Sequence, residues 1–198
     1  PTATSSPDLL LVSDSLPRPL RSTRSRQPES DRPSPGGTVT TVLEHPNVIR
    51  VVEALRAHGE TSEVRAFTEP VPTATAAAEQ LGVEVGAIAN SLIFDADGEA
   101  VLILASGAHR VDTERCAKLL EVGKLRRAKP EFVRQATGQP IGGVAPVGHP
   151  APLRTLVDTW LRRYETVWAA AGHPNTVFPT TFDTLLRITG GTAADVGD

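Results

Sequence analysis

The sequence predicts a mixed α/β fold: a single domain with a largely antiparallel sheet and helices around it. Three observations carry this. Two pairs of β-rich runs, residues 88–94 with 100–105 and 166–170 with 176–178, are separated by turn-forming segments in the manner of hairpins. Short helical patterns lie between the strand candidates, so strands mix with helices along the chain. No Gly-x-Gly-x-x-Gly follows the first strand and no phosphate-loop lysine motif occurs, which argues against a doubly wound nucleotide-binding sheet.

The 198 residues divide near Thr38. Residues 1–40 read as a Pro/Ser/Arg-rich tail, with arginines at 18, 21, 24, 26 and 32 nearly cancelled by Asp8, Asp14, Glu29 and Asp31. Such a segment cannot bury enough apolar surface to offset its ordering entropy, so it is expected to be disordered. Residues 41–195 are long enough for one substantial core.

Within that domain Pro46 is suited to a helical first turn, Val48, Val52 and Leu55 recur at helical spacing, and Gly59 can end the helix. Residues 63–67 are a short strand candidate. Thr73 or Thr75 can cap an alanine-rich helix that stops near Gly82. Residues 88–94 alternate and are β-branched, 95–98 read as a turn, and 100–105 form a strongly apolar strand. Asp112 is placed to cap a helix through Leu120, and Pro130 to open another that ends before Gly138. Residues 154–157 read as a strand, Gly172-His173-Pro174-Asn175 as the turn of the second hairpin, and 181–189 as a closing helix with Gly190 behind it.

Composition excludes several functions. One cysteine, Cys116, rules out an intrachain disulfide framework, and a reducing cytoplasm is the default location. The run at residues 9–12 is too short to span a membrane, and no membrane association is expected. A net charge of -3 gives no global nucleic-acid signature. Lys118, Lys124, Arg126, Arg127, Lys129 and Arg134 could form a local basic face, although a solvated charged face is the favoured reading of them. The five histidines are scattered, without a His-Glu-x-x-His helix or paired cysteines, so no metal is expected. There is no Gly-x-Ser-x-Gly elbow, and Cys116 lacks a nucleophile signature.

The most informative stretch is Ile141-Gly142-Gly143-Val144-Ala145-Pro146-Val147-Gly148-His149. Its glycines and proline suit neither a helix nor a central strand, whereas a tight bend would bare backbone amides for a ligand. A glycine-rich turn without a ligand is the alternative. Ser106-Gly107, at the end of a strong strand, could present a hydroxyl and an amide, or simply end the strand. Asp158 could orient a substrate or cap the following element. Asn90 is a polar side chain within an apolar strand, so it faces a cleft or pairs with backbone.

From His45 to Asp195 the chain resembles the YbaK/ProX superfamily of aminoacyl-tRNA deacylases, the fold also inserted as an editing domain in bacterial prolyl-tRNA synthetases. The resemblance runs through Thr73-Ala74-Thr75-Ala76, residues 86–94, Ala105-Ser106-Gly107 with Arg110-Val111-Asp112, residues 142–148, Val157-Asp158 and Leu185-Leu186-Arg187-Ile188-Thr189. It implies a YbaK/ProX-like domain that hydrolyses the ester between a small mischarged amino acid and tRNA, without metal or organic cofactor. The implied partners are the aminoacylated tRNA 3′ end and, as a further candidate, an aminoacyl-tRNA synthetase. Oligomeric state is left open.

Under that resemblance Asn90, Gly142, Gly143 and Asp158 are the catalytic candidates. Thr73, Thr75, Ser106, Gly107, Pro146, Gly148 and His149 are the substrate-binding candidates. Asn90 stands where well-studied members resembling this chain carry a lysine, and asparagine donates hydrogen bonds without supplying charge. Two rival functions therefore accompany the hydrolase: a non-catalytic domain that binds tRNA ends or aminoacyl ligands, and a small-molecule ester or amide hydrolase.

Overall fold

The computed structural model describes residues 39–69 and 71–197, and the tail expectation lies outside the described residues up to Thr38. Helix α1 (Val39–Leu43) begins within the segment assigned to the tail. Helix α2 (Pro46–Ala57) follows, with Pro46 in its first turn and the His45 ring accepting from Asn47 N–H at its start. Thr73, rather than Thr75, caps α3 (Ala74–Leu81), and Gly82 ends it in the left-handed conformation. Asp112 caps α4 (Thr113–Leu119), Pro130 opens α5 (Pro130–Thr137), and Thr181 caps α6 (Phe182–Thr189).

The strands are β1 (Arg65–Ala66), β2 (Ile88–Ala96), β3 (Glu99–Ser106), β4 (Leu125–Arg127), β5 (Arg154–Asp158), β6 (Val167–Ala170), β7 (Thr176–Thr180) and β8 (Thr192–Ala194). They form one sheet in the order β1-β7-β6-β2-β3-β5-β8, with β4 added to β2. Both expected hairpins, β2/β3 and β6/β7, are antiparallel, as are β1/β7 and β2/β4. The pairs β2/β6, β3/β5 and β5/β8 are parallel. The fold is thus a mixed α/β domain with a largely antiparallel sheet and surrounding helices.

Two short strands have no expectation behind them. β4 falls among charged residues, where Leu125 is the lone buried side chain, and β8 has a single buried residue, Ala194. Each is a strand because an open edge lies next to it, not because of its own pattern.

The sheet's two faces carry different cores. Ala89 and Ile93 of β2 pack with Leu102, Leu104, Val144, Val147, Phe178 and Leu185 in the main core. On the other face, Ile88 joins Trp168, Val177 and the alanines of α3, whereas Phe94 and Ala96 join Val101, Ile103 and Cys116 of α4. Side chains alternate across a strand, so Asn90 shares a face with Ile88 and Phe94. It lies between the α3 core and the α4 core, where neither helix covers it, and it is exposed.

The glycine-rich segment forms neither helix nor strand. It is fastened from within by Gln139, which is 1% exposed. The Gln139 amide donates from Nε2 to Val147 O (3.3 Å) and accepts at Oε1 from Ala145 N–H (2.7 Å). Thr137 Oγ1 accepts from Gln139 N–H, and the His149 ring Nε2 meets Ala145 O at 2.8 Å. Gly142 and Gly148 take φ of 85° and 82°, the left-handed region that glycine enters without cost from a side chain.

Replacing Gln139 with Leu keeps the volume but strands two buried backbone groups. We expect a cost of about 2 kcal/mol, or roughly 5 °C in Tm for a domain of this size. Thermal unfolding followed by circular dichroism checks this, and an unchanged Tm would show that the segment holds its shape without the staple.

Candidate functional site

Strand β2 pairs with β3 from Ala89 to Ala96, but its other edge is shared. β6 takes Ile88 and Ala89, and β4 takes Phe94 to Ala96. Gly107 N–H donates to Ile88 O (2.8 Å), which sets the alternation of an antiparallel pair. Backbone groups of Ile88, Asn90, Leu92 and Phe94 therefore point to β3, and those of Ser91 point into the interval between β6 and β4. A cleft opens at that interval.

The cleft has a volume of about 320 Å³. Thr73, Ala74 and Ala77 of α3 form one wall, Asn90 to Leu92 the floor, and Ile141, Gly142 and Val144 the opposite rim. Trp168, Ala170, Pro174 and Thr176 of the second hairpin close the end. Gly142 has open space where a side chain would project, and its N–H makes no hydrogen bond among the described residues. Two buried polar atoms on lining residues, Ser91 Oγ and Trp168 Nε1, also have no partner within the described protein. Unpaired buried groups of this kind are costly and are common where a ligand or water completes them. The Arg65 guanidinium lies 4.8 Å from the centre of the Trp168 ring on β6.

Of the candidates read from the sequence, the structure brings Thr73, Asn90 and Gly142 together around this cleft. The others lie elsewhere. Thr75 is exposed on α3 and does not line the cleft. Gly143 packs so tightly on the second hairpin's turn that an added Cβ would lie 2.6 Å from the His173 carbonyl carbon. Its N–H donates to Pro140 O (3.0 Å), so that amide is already used. Pro146 is buried beneath the segment, and Gly148 sits against Val51 of α2. His149 is held by Ala145 O.

Ser106, Gly107 and Asp158 form a separate buried knot rather than a cleft wall. Ser106 and Asp158 are both 0% exposed. Asp158 Oδ2 accepts from Ser106 N–H and Oδ1 from Trp160 N–H, both at 2.9 Å. His109 Nδ1 lies 2.9 Å from Oδ2. Ser106 Oγ donates to Gly86 O (2.8 Å), and a Cβ on Gly107 would meet Val85 O at 2.4 Å. These groups tie the ends of β3 and β5 to the turns beside them, and they do not reach the cleft lining.

Sequence reasoning did not single out Ser91, Trp168, Ala170, Pro174, Thr176 or Gln139. The one signal available was the side-chain alternation on β2, since an exposed Asn90 implies a neighbour, Ser91, on the opposite face. Cys116 is buried on α4 as expected, and burial pushes its thiol up to about 11, which leaves it protonated and unreactive at neutral pH. Among the described residues no group of three or more His, Cys, Asp or Glu is placed to hold a metal ion. No described helix is long and apolar enough to cross a membrane.

Burial holds the His149 imidazole below its ordinary value of 6.5, against the opposing effect of its bond to Ala145 O. A depressed histidine contributes stability above its unfolded value that is lost as pH falls toward the folded one. We therefore expect Tm to drop as pH is lowered from neutrality through 6.5, and His149→Gln to flatten that decline. Equal slopes for both proteins would remove His149 from the pH response.

Comparison with known proteins adds an independent observation. A family model described as the aminoacyl-tRNA editing domain matches residues 68–188. The protein YwhH of Bacillus subtilis (strain 168) is 32% identical over 135 residues, 66% of this chain and 85% of that protein. A proline–tRNA ligase of Nitratidesulfovibrio vulgaris (Hildenborough strain) is 37% identical over 82 residues, covering 41% of this chain but 14% of the ligase. Among solved structures, a protein crystallised as a candidate trans-editing enzyme for prolyl tRNA synthetase has 41% identity and a TM-score of 0.73. That match covers 77% of this chain and 98% of the other.

Proposed function

The chain belongs to the aminoacyl-tRNA editing domain family, and we propose that it is an editing hydrolase that cleaves the ester of a small mischarged amino acid on tRNA. The observation that carries this reading is the cleft itself. It is mostly apolar, and it is lined by the exposed Asn90 and by Gly142, whose N–H makes no hydrogen bond among the described residues. Ala74, Ala77, Trp168 and Ala170 give the cleft an apolar lining suited to a small uncharged side chain. Steric exclusion discriminates size well but near-isosteres by only about 1–3 kcal/mol.

An ester is already activated, so the protein's task is to position water and to stabilise the oxyanion. Water oxygen bonds to the acyl carbon, the bond from that carbon to the ribose oxygen breaks, and the ribose oxygen takes a proton. Gly142 N–H and the Asn90 amide are the donors suited to the developing oxyanion. No titratable side chain lines the cleft among the described residues. The proton acceptor is therefore solvent or the substrate, whose vicinal ribose hydroxyl and α-amine both lie beside the ester. That division of labour accounts for the absence of a protein base without invoking the buried Asp158.

A second reading, a domain that binds tRNA ends without turnover, is favoured by one observation. Asn90 occupies the place where members resembling this chain carry lysine, and it brings no charge to the cleft.

Deacylation time courses over correctly and incorrectly charged tRNAs, including Ala- and Cys-tRNA(Pro), separate the two. We expect one small mischarged species to turn over, Asn90→Ala to slow it about tenfold or more, and Asn90→Lys to restore or raise the rate. A 2′-deoxy terminal adenosine should abolish turnover if the ribose hydroxyl assists. Binding of charged tRNA with no turnover of any species would select the binding domain instead.

A further inference from the structure

The turn of the second hairpin and the start of α2 meet through two imidazoles. The rings of His45 and His173 lie with their centroids 5.2 Å apart, tilted by 57°. Each accepts at Nδ1 from a backbone N–H two residues on: His45 from Asn47 (3.2 Å) and His173 from Asn175 (3.1 Å). An accepting Nδ1 carries a free lone pair, so both rings are neutral here, with their proton on Nε2. A second proton would turn each acceptor into a donor that faces a donor.

The surroundings offer a charged ring nothing in return. His45 sits at the positive end of α2, a helix with no acidic residue in its first turn. Glu44 just before it, and Arg50, Glu53 and Arg56 along α2, form no ion pair with either ring among the described residues. The hairpin, residues 167–181, has no ionisable side chain besides His173. The glycine-rich segment packed against it has only His149, which is held by Ala145 O. Burial, and secondarily the neighbouring His45, hold His173 below its ordinary value of 6.5. A histidine depressed in this way contributes stability above its unfolded value that is lost as pH falls through the folded one.

Close contacts join this pair to the cleft. A Cβ on Gly172 would lie 2.8 Å from Asn47 O, and one on Gly143 would lie 2.7 Å from Pro174 N. The turn is thus clamped between α2 and the rim. Thr176 N–H and Oγ1 both donate to His173 O at 3.0 Å, and Pro174 and Thr176 close the end of the cleft.

We propose that His45 and His173 form an acid-released latch on the end of the cleft. With both rings neutral the latch holds the 172–175 turn against α2. Protonation of either ring displaces its backbone donor and frees the turn, Pro174 with it, while the sheet stays folded. The latch is independent of what the cleft binds.

The test uses the full isotope-labelled chain, with amide hydrogen exchange followed by NMR and corrected for the intrinsic effect of pH. Imidazole nitrogen shifts should show both rings as Nε2–H at neutrality. On acidification to about pH 5, the Asn175 and Thr176 amides should lose protection while those of Leu102 to Leu104 on β3 keep theirs. The expected loss is about tenfold, the combined scale of a lost cap and a cation at a helix start. Asparagine can accept the same backbone N–H without titrating, so a double variant, His45→Asn with His173→Asn, should keep its turn protection throughout. His149→Gln should lose turn protection as the unsubstituted chain does, and melting curves at neutral pH establish that the variants are folded. Unchanged turn protection in the unsubstituted protein would overturn the latch, as would a loss that persists in the double variant. So would an equal loss on β3, which would be global destabilisation. A loss abolished by His149→Gln alone would overturn it too, and would assign the opening to the rim.

Discussion

The shared edge of β2 is the constraint on which the rest of the structure depends. A strand has two hydrogen-bonding edges, and β3 occupies one of them from Ala89 to Ala96. On the other, β6 arrives in parallel and β4 antiparallel, and they stop short of one another. The middle of β2 is therefore held on one side and open on the other. An open edge in a sheet interior exposes backbone donors and acceptors that need partners. Here the opening is flanked by helices packed over either end of the same strand, so the unpaired stretch becomes the floor of a cleft rather than a site of strand addition.

Buried polar groups elsewhere keep that opening in shape. Asp158 is a carboxylate with no exposure, tolerable because Ser106 N–H, Trp160 N–H and the nearby His109 surround it. It fixes the relative position of β3 and β5, the strands behind the cleft floor. Gln139 plays the corresponding part on the rim, where it replaces the ladder hydrogen bonds that the glycine-rich segment lacks. Close backbone contact does the rest. Gly143 lies against the His173–Pro174 peptide with no space for a side chain, and so joins the rim to the hairpin that closes the cleft. Much of the glycine-rich segment serves packing, while Ile141, Gly142 and Val144 line the cleft.

The chemistry that results is economical in side chains. The cleft combines apolar walls, one side-chain amide and one unused backbone N–H, with the cations placed in an adjoining cavity rather than at the floor. Among the described residues, Arg110 and Arg127 are the charged side chains that line the adjoining cavity.

The sequence alone determined what is local. The Asp112 cap, the glycine stops at Gly82, Gly138 and Gly190, and both hairpins depend on neighbours a few residues away, and all appear as expected. The ordered set of weak motifs also located the family. The tertiary structure decided what depends on register and packing. β4 and β8 exist because an edge was available, and Arg126 and Arg127 differ in role because strand alternation sends them to opposite sides. Ser106 and Asp158 looked like site residues because strand ends often carry chemistry, yet here the strand ends meet each other, and buried backbone N–H groups take up their oxygens. Asn90 became a cleft residue, and not a buried amide, because two helices pack on either side of it and neither reaches across. That is a distance between separate elements, and no stretch of sequence encodes it locally.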